Sequence, residues 1–186
     1  MAVKYKHSDV YSMYFSTFTC YEWMHLFEMT NSYDLVYNWF KILNSEHIDV
    51  IGYVIMPNHV HCILYFPEIE FNLNRILGNG KRFMAYEIIN RLEAANDTKT
   101  LKILQDALTE RERNKKQLHK VFKDSFDAKA IFSEKFLIQK LNYIHHNPGS
   151  DKWDLAADFV SYEHSSAPFY EEGVARHFKP KHFNDL

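Results

Sequence analysis

The chain has 186 residues, of which 46% are apolar and 25% are charged, a composition that favours a folded globular protein and excludes a largely disordered one. Its length suits one domain covering residues 1–186, and its formal net charge of -2 gives no overall attraction to nucleic acid. Basic charge is nevertheless concentrated between Lys81 and Lys140, where 14 Lys and Arg stand against 9 Asp and Glu. Any contact with nucleic acid is therefore expected on that half of the chain.

Two features bear on the cellular compartment. The only cysteines are Cys20 and Cys62, both within apolar runs, which predicts buried thiols in a reducing environment and excludes a disulfide framework or a cysteine zinc site. No run of about 18 apolar residues occurs, and the first ten residues contain no continuous apolar segment. These observations predict a cytoplasmic protein with no membrane partner.

The first half of the chain predicts a strand, a helix and a hairpin. The aromatic and β-branched residues from Tyr11 to Cys20 are typical of a strand. Asn31 or Ser32 can cap the next segment, in which apolar residues recur at helical spacing up to Leu43. Two β-type runs, IDVIGYVIM and HVHCILYF, are then separated by Pro57-Asn58, a pair suited to a tight turn. An antiparallel hairpin is expected there.

The middle of the chain is less regular. Gly78-Asn79-Gly80 interrupts an apolar periodicity, so the main helix is placed from about Lys81 to Ala95. The strongly polar stretch 96–120 is either an exposed helical insertion or a mobile one. A last strand is expected within KVFKDSFDAKAIF, residues 120–132.

The final predicted helix has the clearest boundaries. Ser133 is suited to cap its first turn, and Pro148 disfavours helical geometry at Asn147. The element order is then β-α-β-β-α-β-α, which predicts an α+β protein with a ferredoxin-like (βαββαβ) antiparallel sheet and an added C-terminal helix. The core extends from about residue 10 to residue 147, and a C-terminal tail covers about 148–186.

Two histidines stand two positions apart in the second strand of the hairpin. Side chains alternate across a strand, so His59 and His61 share one face, and their ring nitrogens can converge on a divalent ion. The alternative is that both are polar residues on the solvated face of an antiparallel sheet. Known hydrolase sites with this spacing need further ligands directly after the pair, where Ile63, Leu64 and Tyr65 stand instead. A metal-dependent hydrolase of these known kinds is therefore disfavoured.

The final predicted helix offers a nucleophile on its flank. Its apolar stripe consists of Leu137, Leu141 and Ile144. Tyr143 lies roughly 120° from the centre of that stripe, and Lys140 and Asn147 share its flank, about one turn before and after it. Tyr143 is either a functional phenol or a half-buried boundary residue. His145 is expected at the surface near the helix C terminus, and His146 is a candidate ligand or proton carrier.

Two separated motifs carry a family resemblance. YVIMPNHVHCIL, residues 53–64, and FLIQKLNYIHHNP, residues 136–148, occur in this order about eighty residues apart. Together they resemble the REP-associated tyrosine transposases, within the HUH superfamily of single-strand transposases. YFSTFTC, GKRFMAYEI, DSFDAKAIFSEKF and YEHSSAPFY are further similarities, so the resemblance covers about residues 11–170.

The resemblance implies an enzyme that nicks single-stranded DNA and transfers the strand through a 5′-phosphotyrosine intermediate. His59 and His61 match its metal-binding pair, Tyr143 matches its nucleophile, and Asn147 occupies the position of a third polar ligand. Lys140 is added as an electrostatic candidate from its place on the helix alone. The implied cofactor is a divalent metal ion, Mg²⁺ or Mn²⁺, and the implied partner is single-stranded DNA with a hairpin formed by a palindromic repeat. Such a protein would act in the cytoplasm, at the bacterial nucleoid when bound to DNA.

Candidate phosphate contacts come from the basic half of the chain. They are Lys81, Arg82, Lys115, Lys116, Lys120 and Lys123. For any one of these residues taken singly, a solvated surface charge is the favoured interpretation, so only the cluster supports DNA binding. The alternative function, of a different class, is a non-catalytic DNA hairpin-binding protein that kept the transposase fold.

Two departures from the family pattern bear on assembly and DNA contact. After Asn147-Pro148 the chain continues GSDKWDLAAD, which is acidic where relatives commonly have a basic segment. Glycines number only 5, and no flexible link precedes the tyrosine helix. Tyr143 is therefore expected to act in its own subunit, and a homodimer is left open.

Overall fold

The computed structural model describes residues 11–68, 70–150 and 153–186, and this part of the chain forms four strands and seven α-helices. The strands are β1 (Met13–Thr19), β2 (Asp49–Met56), β3 (His59–Tyr65) and β4 (Asp127–Ala130). The helices are α1 (Leu26–Met29), α2 (Tyr33–Ser45), α3 (Leu73–Ala94), α4 (Thr98–Asp106), α5 (Glu110–Asn114), α6 (Glu134–His146) and α7 (Ala167–Glu172). Within those described ranges, no helix has the length and apolar character needed to cross a membrane.

The four strands form one antiparallel sheet in the order β2-β3-β1-β4. Helices α1 and α2 connect β1 to β2, and helices α3, α4 and α5 connect β3 to β4, so this is the ferredoxin-like βαββαβ arrangement with extra short helices, and α6 follows β4. The predicted fold class is therefore confirmed. β3 lies in the interior of the sheet, where Thr17 of β1 is paired with His61 and Met56 of β2 with His59.

Helices cover both faces of the sheet. Val60 and Cys62 of β3 belong to the larger core cluster, which α2 and α3 complete. Ile63, on the opposite face, belongs to a second cluster with Leu141 and Ile144 of α6. The face that carries the histidines is therefore covered by α6, and this excludes the alternative of a solvated histidine face.

Helix α3 begins at Leu73 rather than near Lys81, so the predicted interruption at residues 78–80 is wrong. The side chain of Asn72 caps the new start by accepting a hydrogen bond from the backbone N–H of Arg75 at 2.9 Å. Gly80 is a packing position, because a Cβ built there would lie 2.7 Å from Cε2 of Trp39. Absence of a side chain thus lets α3 approach α2 closely.

The Gly80→Ala substitution is expected to lower the free energy of unfolding by about 1–2 kcal/mol, although alanine is the better helix former. The indole of Trp39 is only 7% exposed, so it cannot move aside into solvent. Urea unfolding monitored by circular dichroism measures the effect. Trp39→Phe removes the pyrrole part of the indole. In that background, Gly80→Ala should lower the free energy of unfolding by less than it does in the wild-type protein. Equal costs in the two backgrounds would contradict this explanation.

Residues 164–181 run along the outer edge of β2. The backbone N–H of Ile55 donates to the carbonyl of His164 at 2.8 Å, and those of Ser166 and Lys181 donate to the carbonyls of Tyr53 and Val50 at 2.9 and 3.0 Å. Tyr162, Ala167 and Phe178 from the same region are buried. The C-terminal region therefore covers a strand edge that would otherwise present unpaired backbone groups.

Candidate active site

His59 and His61 are almost completely buried, at 3% and 5% exposure, and their Nε2 atoms lie 3.1 Å apart. Asn58 fixes the first ring, because its Nδ2 donates to the carbonyl of Trp23 while its Oδ1 accepts from Nδ1 of His59 at 2.7 Å. This tautomer of a neutral imidazole leaves the lone pair of His59 at Nε2. On the other side, Thr17 Oγ1 lies 2.6 Å from Nδ1 of His61.

Electrostatics favour a neutral His61. Burial, followed by the repulsion that a protonated His61 would meet from His59 whenever that ring is also protonated and from Lys140, holds the pKa of His61 well below its usual value. A neutral imidazole carries a proton on one ring nitrogen and a lone pair on the other. The hydroxyl of Thr17 can accept a hydrogen bond from Nδ1–H of His61, and the lone pair is then at Nε2. Both histidines can therefore present Nε2 lone pairs to the same point.

Tyr143 lies directly beside this pair. Its ring centroid is 5.3 Å from that of His61 and 5.9 Å from that of Phe15, and 50% of the residue is exposed. One chain therefore brings the phenol and the histidines together. A half-exposed phenol at the wall of a cavity is open to a large substrate, whereas a core tyrosine is not.

Asn147 provides a third polar atom at the end of α6. Its Oδ1 is buried and has no hydrogen-bond partner among the residues that the structure describes, although Asn147 lines the same cavity of about 380 Å³ as His59, His61 and Tyr143. A buried amide oxygen without a partner costs about 1–3 kcal/mol, so a ligand that it could bind would relieve that cost.

These donors fit a divalent ion. Two nitrogens in neighbouring positions around one ion, each bonded at about 2.1 Å, lie about 3 Å apart, which matches the spacing of the Nε2 atoms. No group of three or more His, Cys, Asp or Glu that could hold a metal is found in the described ranges. The amide oxygen of Asn147 is a further oxygen donor at the same cavity. Imidazole nitrogens are in general better ligands for transition ions such as Mn²⁺ than for Mg²⁺.

Lys140 is held next to the tyrosine by aromatic rings. Its Nζ lies 4.8 Å from the ring centroid of Phe15, 5.2 Å from that of Phe136 and 5.5 Å from that of Tyr143, all within the range of cation–π attraction. Burial, and then the charge of Lys129, lowers the pKa of Lys140. The predicted electrostatic candidate is therefore in place beside the phenol.

The remaining walls of the cavity include residues that were not predicted from the sequence. The ring of Trp23 lies 5.6 Å from that of His59, and the ring of Trp153 lies 5.3 Å from it on the segment after Pro148. His146 also lines the cavity, where its Nδ1 donates to the carbonyl of Asn142 at 2.9 Å. Thr17 could have been found from strand register, since it lies opposite His61, but no local signal identifies the two tryptophans.

His145 is not at the surface, and that prediction is wrong. It is 3% exposed, and its Nε2 is 2.8 Å from Oγ of Ser166, which also accepts from the backbone N–H of Tyr53. Burial lowers the pKa of His145 to about 4. The residue therefore links the C-terminal end of α6 to the segment that covers β2.

The six predicted DNA contacts divide into three groups. Lys81 is 5% exposed, its Nζ donates to the carbonyl of Lys123 at 2.6 Å, and burial lowers its pKa to about 8. This burial removes Lys81 as a phosphate contact. Lys120 is engaged in ion pairs with Glu112 at 2.9 Å and Asp124 at 3.2 Å.

The other four basic residues line one groove of about 770 Å³ between α3 and residues 115–124. They are Arg82, Lys115, Lys116 and Lys123. Tyr86, which is 61% exposed, lies in the same groove. Nζ of Lys123 is also 4.7 Å from the ring of Trp23, so the basic groove adjoins the histidine cavity.

A ferredoxin-like sheet with a buried histidine pair on an inner strand, facing a tyrosine on the helix after the last strand, defines the structural class of this protein. The fold is similar to that of a solved structure, the REP-associated tyrosine transposase bound to a REP hairpin, with a TM-score of 0.58 and 16% identity over 100% of this chain and 95% of that chain. The resemblance inferred from the two motifs is thereby confirmed for the fold. No protein-family model and no curated protein matches the chain.

Proposed function

We propose that this protein cuts single-stranded DNA beside a hairpin and rejoins it, with Tyr143 as the nucleophile. The observation that carries this proposal is that one chain brings the ring of Tyr143 to 5.3 Å from that of His61, whose Nε2 lies 3.1 Å from that of His59. A non-catalytic DNA-binding protein has no need of this combination. One solved structure with this fold is the REP-associated tyrosine transposase bound to a REP hairpin, and this supports the proposed substrate class.

The reaction exchanges one phosphate ester for another. Oη of Tyr143 attacks the phosphorus of a phosphodiester, a bond from Oη to phosphorus forms, and the bond from phosphorus to the 3′ oxygen breaks. The phenol proton passes to a base, for which His146 is suited because its Nδ1–H already donates to Asn142 and the neutral ring keeps a lone pair at Nε2. The leaving 3′ oxygen takes up a proton from water. Attack of a 3′-hydroxyl on the resulting 5′-phosphotyrosine reverses these steps and needs no ATP.

His59, His61 and Asn147 are the residues that would hold the divalent ion, which when bound supplies Lewis-acid polarisation of a non-bridging phosphate oxygen. Lys140 places positive charge beside the phenol, where it can offset the negative charge that develops on the reacting oxygens in the transition state. Trp23 and Trp153 add aromatic walls to the cavity beside His59.

The basic groove is the proposed binding site for the hairpin stem. Four of the predicted contacts, Arg82, Lys115, Lys116 and Lys123, line it and can contact phosphates. The cytoplasm, where chromosomal DNA is present, is the proposed place of action. Lys115→Gln combined with Lys116→Gln is expected to reduce the slope of log affinity against log salt concentration by about 1–2, with weaker binding of every hairpin sequence. Fluorescence anisotropy over a salt series measures this.

A matched control removes two exposed lysines outside the groove, Lys41→Gln with Lys99→Gln. Both pairs change the net charge equally, so an effect of overall charge would appear in both variants. Equal salt slopes for the two double variants would place the hairpin elsewhere on the protein.

The test of the function is denaturing electrophoresis of the protein with an end-labelled hairpin that carries single-stranded flanks, with and without Mn²⁺. A labelled band at the mass of a protein–DNA adduct, present only with the metal, is the expected result. Hairpin binding without any adduct would instead identify a non-catalytic binding protein with the same fold.

A further inference from the structure

One flank of α6 carries a continuous series of rings and a cation. Phe136, Lys140 and Tyr143 are spaced at i, i+4 and i+7, which places them within about 60° of one another around the helix. Phe132, just before the helix, stacks on Phe136 with 5.1 Å between centroids and 18° between planes. Lys140 Nζ bridges the next gap, at 5.2 Å from Phe136 and 5.5 Å from Tyr143. These four residues are called the stacking row.

The outer end of the stacking row is not explained by packing in the core. Phe132 is 68% exposed and belongs to neither buried cluster, whereas Phe136 packs at the edge of the second cluster. A phenylalanine held flat against a second ring, with most of its surface in water, presents a preformed aromatic face at the surface. Two exposed lysines, Lys129 in β4 and Lys135 in α6, are each three positions from Phe132 in the chain.

We propose that the stacking row binds the unpaired bases next to the phosphate that Tyr143 attacks, an inference that rests on the proposed function. Exposed rings interleaved with cations are the arrangement that binds single-stranded nucleic acid, since bases stack on the rings and phosphates lie near the cations. A duplex stem cannot use the row in this way, because its base faces are already covered by neighbouring pairs.

The length of the row indicates which bases are bound. Tyr143 is seven positions after Phe136 in the helix, which corresponds to a rise of about 10.5 Å. Stacked nucleotides advance about 3.4 Å each along one strand. The base that meets Phe132 and Phe136 therefore lies about three nucleotides from the attacked phosphate. Stacking tolerates any base, so the row contributes affinity and position more than sequence preference.

The experiment compares Phe132→Ala with the wild-type protein on two hairpins, one with single-stranded flanks of five nucleotides and one with flanks of a single nucleotide. We expect the variant to bind the long-flank hairpin at least about 5-fold more weakly and the short-flank hairpin equally well. 2-Aminopurine placed in turn at each flank position should be quenched by the wild-type protein about three nucleotides from the cut, and not by the variant. Phe132→Trp, which keeps an aromatic face, should retain the quenching.

Ile138→Ala is the matched control, since Ile138 is an exposed apolar residue of the same helix, 42% exposed and about 160° around from Phe136. It should leave both affinities unchanged. Unchanged long-flank affinity in Phe132→Ala would overturn the inference, as would an equal loss on both hairpins. Loss of a protein dimer in Phe132→Ala, with DNA binding intact, would assign the row to a second copy of the chain.

Failure of the inference is separable from failure of the proposed function. If the wild-type protein forms no covalent adduct but quenches 2-aminopurine as described, the row binds single strands in a protein that does not cut them. If the adduct forms and quenching is absent, the protein cuts DNA and the row has no part in holding it.

Discussion

Tyr143→Phe is expected to abolish the covalent protein–DNA adduct while leaving hairpin affinity and stability unchanged. The substitution removes only the hydroxyl group, and the ring contacts with His61 and Phe15 remain available. Because the residue is half exposed, no buried hydrogen bond is lost. Loss of a nucleophile lowers turnover by several orders of magnitude, so the labelled band should fall below detection on a denaturing gel.

Tyr11→Phe is the matched control, because Tyr11 is also partly exposed, at 39%, and lies outside the cavity. It should form the adduct at the wild-type rate. An adduct of undiminished intensity in Tyr143→Phe would show that another side chain attacks the phosphate.

The His59→Ala, His61→Ala double variant is expected to lose both the adduct and the binding of Mn²⁺ to the protein alone. Changes in residues that merely orient a metal ligand reduce affinity about 10–100-fold, and loss of two ligands should exceed that range. Titration calorimetry with Mn²⁺ in the absence of DNA measures binding without reference to turnover. Asn147→Ala should weaken Mn²⁺ binding by a smaller factor.

Thr17→Val separates ligation from orientation. This variant keeps both imidazoles but removes the hydroxyl that lies 2.6 Å from Nδ1 of His61. Its affinity for Mn²⁺ is therefore expected to be about 10–100-fold lower than that of the wild-type protein. Circular dichroism establishes that each variant is folded. Mn²⁺ affinity equal to that of the wild-type protein in the double histidine variant would contradict the assignment of the ligands.

The sequence was informative about this site where local geometry determines position. Strand alternation places His59 and His61 on one face, and helical spacing places Tyr143 and Asn147 on one flank. Burial of the histidines was not predictable in the same way, because it depends on α6 crossing that face of the sheet, which is a tertiary contact. Trp153 illustrates the same limit, since only the path of the chain after Pro148 brings it to His59.

Two wrong predictions have a common cause. Lys81 was expected at the surface and Gly80 was interpreted as part of a helix break, since lysine is ordinarily exposed and glycine ordinarily disfavours helices. In the structure, Lys81 is buried and its Nζ donates a hydrogen bond to the backbone carbonyl of Lys123. The indole of Trp39 packs against Gly80, where a side chain would clash with it. Each residue departs from its average behaviour because of a partner far away in sequence.

The position of residues 164–181 along the outer edge of β2 has a consequence for synthesis of the protein. Translation proceeds from the N terminus, so the histidines and the tyrosine are complete in the nascent chain before residues 164–181 exist to occupy that edge. A message that stops shortly after α6 would thus encode every proposed reactive group, yet its product would present an open strand edge that invites pairing between chains. Protection of this strand edge is therefore acquired only after the proposed reactive groups have been synthesised.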